Sequence, residues 1–329
     1  MKVMVTGAST PLGRSLVRAL ADDPRVELVL AVASGPVPIT RPKLTHVRAD
    51  LRRSRELRRV LFGPARDLGI DAVAHVAIHP SARAQRVTID ATRDLLRLIE
   101  RHPTIRRFVY RSFADIYRIR PAAGGIIGEA HPLDLSLPPG VRDRAEADLT
   151  VCTRMAMAPS LTIAVLRLAE LFAPECGSQL YDYLLSRVCF RPIGFNPMMQ
   201  LLSLEDGLRA IVLALFSDAQ GVFNVPGADV LPLSRAIALA GRRGIAVPGP
   251  MLGPLYRARS LVRGTEFRYE SNRFRFHYSG VLDGRRAEQV LGYTPSVRIR
   301  WDELFGSTVW TASEDDLVRP PPELRQPAR

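Results

Sequence analysis

Lysine is almost absent from this chain. Lys2 and Lys43 are the only two, so 44 of the 46 basic residues are arginines. No lysine follows Lys43, and no tyrosine lies between Tyr117 and Tyr181. Cysteine is nearly as scarce. Cys152, Cys176 and Cys189 have neither a metal-ligand nor a Cys-x-x-Cys redox spacing, and are expected to be free thiols serving as small hydrophobes in a reducing cytosol. No apolar run approaches the roughly 20 residues needed to cross a bilayer, which excludes a membrane-spanning helix. No signal peptide is expected, because a strand pattern begins at residue 2. The formal charge is +13. The arginines are nevertheless scattered and form no run interleaved with aromatics, so a dedicated nucleic-acid surface is not expected. The charge favours attraction of acidic small molecules or anionic surfaces.

At 329 residues and 47% hydrophobic content, the chain can bury a core in one or two lobes. Its most informative stretch is the first. Lys2–Thr6 reads as a buried strand and leads directly into Gly7-Ala-Ser-Thr-Pro-Leu-Gly13. Leu12, Leu16, Val17 and Leu20 then recur at helical spacing. Strand, glycine turn and helix open a dinucleotide-binding βαβ unit. Gly7 permits the tight turn, Gly13 permits close helix–sheet packing, and the helix N-terminus offers amides to a pyrophosphate. Further strands are predicted at Val26–Ala33, Leu44–Val47, Asp71–Ala77, Arg107–Ser112, Leu161–Leu168 and Gly221–Val225, with helices at Ser54–Phe62, Ala82–Arg101 and from Leu137–Gly140 onward. His75 and His79 lie in an extended run ending at Pro80, so they do not share a helical face and no metal site is expected.

The spacing resembles the Thr-Gly-x-x-Gly-x-x-Gly motif of extended short-chain dehydrogenases/reductases, the epimerase/dehydratase-like group. Thr6, Gly7 and Gly13 match, and Thr10 replaces the middle glycine. The resemblance implies a Rossmann-like α/β fold, a doubly wound parallel sheet with a smaller mixed α/β substrate lobe. It implies NAD or NADP held by Gly7, Ser9, Thr10, Pro11, Leu12 and Gly13, by the Asp50-Leu51 pair beside the adenine, and by Val76 and Ala77 of the His-x-Ala segment. The cofactor choice stays open. The second strand ends Ala33-Ser34 without the acid that grips an NAD ribose, and Arg41 and Lys43 follow as candidates for a 2′-phosphate. Ser112 takes the place of the family's strand-end catalytic serine, or it satisfies local backbone.

The pattern then breaks. In the family a tyrosine and a lysine four residues later share the next helix. Here Gly140 and Arg144 stand at those positions. Arg144 can hold a ribose but cannot relay a proton at neutral pH. A substitute acid would have to come from Asp143, Glu146, Glu129, His79 or His131. Three functions follow: an atypical NAD(P)-dependent epimerase, dehydratase or reductase acting on an anionic or sugar-nucleotide-like molecule; a non-catalytic dinucleotide-binding sensor or assembly partner; or a scaffold without cofactor. The expected domains are 1–170 for the dinucleotide, 171–312 for the substrate lobe, with some segments returning to the sheet, and 313–329 as a disordered tail. Thr265–Tyr278 is expected to form an aromatic, half-buried strand or loop over the cleft, and Pro248–Val262 a lobe-packing helix. Cysteine usage and the lack of a signal peptide pattern make a cytoplasmic protein the expectation, and the resemblance allows pairing as a homodimer.

Overall fold

A computed structural model describes residues 1–77, 87–120, 125–136, 138–158, 160–263 and 266–306. Its centre is a seven-stranded sheet: β1 (Lys2–Thr6), β2 (Leu28–Ala33), β3 (Leu44–Arg48), β4 (Ala72–His75), β5 (Arg107–Phe113), β6 (Thr162–Leu168) and β7 (Gly221–Val225). The spatial order is β7-β6-β5-β4-β1-β2-β3, and every pairing is parallel. The order reverses between β1 and β4. That switch point opens a crevice at the carboxyl ends of the strands, where ligands of such sheets sit. The fold is the Rossmann-like α/β arrangement. Lys2 begins β1 and Lys43 precedes β3, so both lysines lie at the opposite, amino-terminal edge of the sheet.

Helices cover both faces, which is why the strands read as near-continuous apolar runs. α1 (Pro11–Asp22) and α6 (Leu204–Phe216) pack Leu12, Leu16, Leu20, Ile211 and Leu215 against Val3, Val5 and Val109. α2 (Ser54–Val60), α3 (Val87–Ile99) and α4 (Pro139–Met157) pack Leu57, Leu95, Leu96 and Val151 against Met4, Val73 and Phe108. Alternate residues of one strand thus serve opposite layers. β4 is shorter than the Asp71–Ala77 expected of it, because the chain leaves the sheet after His75 to approach the first glycine turn.

The second lobe holds small sheets at Glu170–Leu171, Met198–Leu202 and Asp229–Pro232, and at Val188–Pro192 with Arg243–Val247. Its core is aromatic. Tyr183, Tyr256, Phe267 and Phe276 meet with centroids 4.8–6.0 Å apart. This corrects in part the expected aromatic cover over the cleft, to which Tyr278 alone of the segment's aromatics contributes lining. Tyr269–Asn272 is a helical turn, and Phe267, Tyr269 and Phe276 are buried in the lobe's own interior. Hydrophobic burial wins over alternation here, because a turn can send every second aromatic inward as well as a strand can. The helix Gly249–Arg263 contributes Leu252 and Tyr256 to the same core. The expected tail, 313–329, lies outside the described residues.

Candidate functional site

The first glycine turn is built by exclusion of side-chain atoms. Gly7 has φ +77°, and a Cβ on it would lie 2.4 Å from the Ala77 Cα. A Cβ on Gly13 would lie 2.1 Å from the Gly7 carbonyl oxygen. Both glycines are needed to bring the start of α1, the end of β1 and the end of β4 together. Thr10 caps α1. Its hydroxyl donates to the Gly7 carbonyl at 2.9 Å and accepts from the Gly13 amide at 3.0 Å, so it is spent on the turn and not offered to a phosphate. Pro11 takes the first helical position, where the lack of an N–H costs nothing. Ser9 lies beside Gly35 at the end of β2, and its carbonyl accepts from Arg14.

Arg41 and Lys43 are not at this site. Arg41 pairs with Asp22 at 2.9 Å and Lys43 donates to the Asp23 carbonyl at 3.0 Å, both at the far end of α1. The cation beside the end of β2 is Arg48, whose Nε donates to the Ser34 carbonyl at 3.1 Å. Asp50 turns its carboxylate onto Arg52, which holds it below the ordinary aspartate range, while Leu51 is buried. Val76 donates to the Thr6 carbonyl and is buried beside the turn.

Past the glycine turn, the crevice continues as a cleft between the ends of β5 and β6 and the second lobe. Its wall carries Arg111, Phe113, Asp115, Arg144, Glu170 and Arg275. Two of the three arginines are paired. Arg144 Nη1 meets Asp115 Oδ2 at 2.9 Å, and Arg275 forms a short ion pair with Glu170. Burial pushes the Glu170 carboxyl up, but Arg275, the Leu180 amide and the Ser178 hydroxyl outweigh it and hold the group below its ordinary value. Arg111 has no such partner among the described residues. It is 4% exposed, its Nε and Nη1 meet no hydrogen-bond acceptor, and its guanidinium lies 4.4 Å over the Phe113 ring. Asp115 Oδ1 is likewise buried without a partner among the described residues.

Ser112 is elsewhere. It is fully buried and donates to Asp148 Oδ2 at 2.5 Å. Asp148, on α4, also receives Arg167 at 2.6 and 3.1 Å. Arg167 reaches the Tyr117 hydroxyl at 3.0 Å, and that hydroxyl donates to Asn224 at 2.6 Å. This chain of partners ties β5, β6, β7 and α4 together and does not open on the cleft.

The proposed substitute acids do not gather there either. Glu129 accepts from the Asn224 amide, His131 contacts the Arg118 carbonyl, and Glu146 faces Arg142 on the exposed side of α4. Asp143 is buried outside the cleft wall, and His79 lies outside the described residues. Among the described residues no group of three or more potential metal ligands occurs.

The profile of the NAD dependent epimerase/dehydratase family matches residues 3–225. The chain belongs to this family. An uncharacterized protein of Mycobacterium tuberculosis is 27% identical over 308 residues, covering 89% of this chain and 80% of its own length. Among solved structures, the UDP-glucuronic acid 4-epimerase of Bacillus cereus in complex with NAD superposes with a TM-score of 0.67 at 16% identity, over 93% of this chain and 96% of its own. The dTDP-glucose 4,6-dehydratase DesIV of Streptomyces venezuelae, with NAD and TYD bound, gives 0.65 at 21%, over 92% and 97%. These structural likenesses establish the fold.

Within this epimerase/dehydratase fold, the residues that sequence inspection missed are Arg111, Phe113 and Asp115. The signal was present. Strand alternation puts Arg111 and Phe113 on the face opposite Ser112, which shares its side with Phe108 and Tyr110.

Proposed function

We propose that this chain binds a nicotinamide dinucleotide across the glycine turn and oxidises or epimerises an anionic, sugar-nucleotide-like alcohol in the adjoining cleft. Gly7, Ser9, Leu12, Gly13, Val76 and Ala77 would hold the dinucleotide. The amino-terminal end of α1 and the unpartnered Arg111 suit a negatively charged group. When bound, that cofactor supplies the hydride chemistry. The single observation that carries the reading is Asp115. Arg144 fixes one of its oxygens, and the other is buried in the cleft wall with no partner. Asp115 Oδ1 would accept the hydroxyl proton as the C–H hydride leaves the same carbon, in place of the tyrosine absent at Gly140.

The 2′ position of the cofactor's ribose would fall at the end of β2, where no carboxylate stands and Arg48 lies over the Ser34 carbonyl. NADP should therefore bind at least as well as NAD. Calorimetric titration with both dinucleotides, followed by absorbance assays against UDP-glucose and UDP-glucuronic acid, tests the whole reading. Asp115→Asn should keep cofactor affinity and lose about 10²-fold or more in turnover. Failure of the wild type to bind either dinucleotide would refute it. Binding without turnover would leave a non-catalytic binding role.

A further inference from the structure

A guanidinium buried without an acceptor is costly, because it has left water and gained no hydrogen bonds in return. Arg111 is in that position. Its strand neighbours explain why it stays there. The β5 face that carries Val109 and Arg111 looks toward α1, and the Phe113 ring supports the planar guanidinium from below. The Cys176 thiol, Arg144 and Asp115 line the same cleft. The two carboxylates of the cleft wall are each committed to another arginine, Asp115 to Arg144 and Glu170 to Arg275. Among the described residues the wall thus carries one positive charge more than it neutralises, on a side chain that lines the cleft. Burial pushes the Arg111 pKa down to about 10, and a second cation, Arg144, adds to the push.

We propose that Arg111 is the receptor for an oxyanion of the bound ligand, a phosphate or carboxylate that accepts hydrogen bonds from its guanidinium. The inference rests on the cleft being the ligand site proposed above. It adds that the ligand brings a full negative charge to this point, with a hydroxyl next to it for Asp115 Oδ1. The oxyanion has two chemical sources, the diphosphate of the dinucleotide and an acidic group of the substrate. A guanidinium suits either.

The experiment uses the full chain, Arg111→Met and Arg111→Gln, and inorganic phosphate as the first probe. Phosphate should raise the melting temperature of the wild type and leave both variants unmoved. Without phosphate, Arg111→Met should melt about 2–4 °C higher than the wild type, since an uncompensated buried charge is gone. Calorimetry then separates the sources. A loss of about 10- to 100-fold for NAD in the variants assigns the anion to the cofactor, and the same loss for UDP-glucuronic acid with NAD unchanged assigns it to the substrate. Equal phosphate stabilisation of wild type and variants, or none in the wild type, overturns the proposal. If phosphate acts through Arg111 but neither dinucleotide binds the wild type, the oxyanion site stands and the proposed function falls.

Discussion

Ser112 and Arg111 are adjacent in sequence and opposite in fate. Ser112 is locked to Asp148, which is itself shared with Arg167. Removing the hydroxyl leaves the Asp148 carboxylate short of one donor. Ser112→Ala should therefore cost about 1–3 kcal/mol in urea unfolding while cofactor affinity stays unchanged. Asp148→Leu is harsher, because it strands Arg167 as a buried charge, and about 3–5 kcal/mol is expected. Weakened cofactor binding in Ser112→Ala at unchanged stability would show the serine at the site after all. The sequence made the glycines legible because their role is steric and local. It hid Arg111 and Asp115 because their significance is which of their atoms stay unpaired, and pairing is set by segments remote in sequence, Arg144 on α4 and the stretch around Glu170.

At the scale of elements, periodicity served well where one face meets a core. β1 and β7 have the ends expected of them, and α1 follows its apolar spacing with Thr10 as cap. It failed at 266–278, where both faces of a short turn are packed. A pH-dependent element is the short helix α5 (Gln179–Leu184), which carries Asp182. Burial pushes its carboxyl up to about 6, and the nearby Glu170 and Glu266 push the same way. The folded group is thus harder to ionise than the unfolded one. Its contribution to stability is fully present below the ordinary aspartate range and is lost as pH rises through about 6. Asp182→Asn should melt above the wild type at pH 7, and the gap should close toward pH 4. A gap that persists unchanged at pH 4 would contradict this.

Across the whole molecule, the order of motifs carried more information than any one of them, and it sufficed for the sheet. A clean division near residue 170 fits less well with how the core is assembled. β7 comes from residues 221–225 and completes the sheet beside β6, and α6 covers β1 and β5 with Ile211 and Leu215. Asn224 reaches back to Tyr117 and the Ile127 carbonyl. A fragment of residues 1–170 would expose the β6 edge and half of one core layer, so it should show no cooperative thermal transition by circular dichroism. A sharp transition would establish an independent first domain. The scarcity of lysine has a practical side. Lys2 and Lys43 both sit at the sheet edge farthest from the cleft. Amine-coupling chemistry directed at those side chains would therefore tether the molecule by its back and leave the cleft facing the solution, an orientation that suits a biosensor surface without any engineered tag.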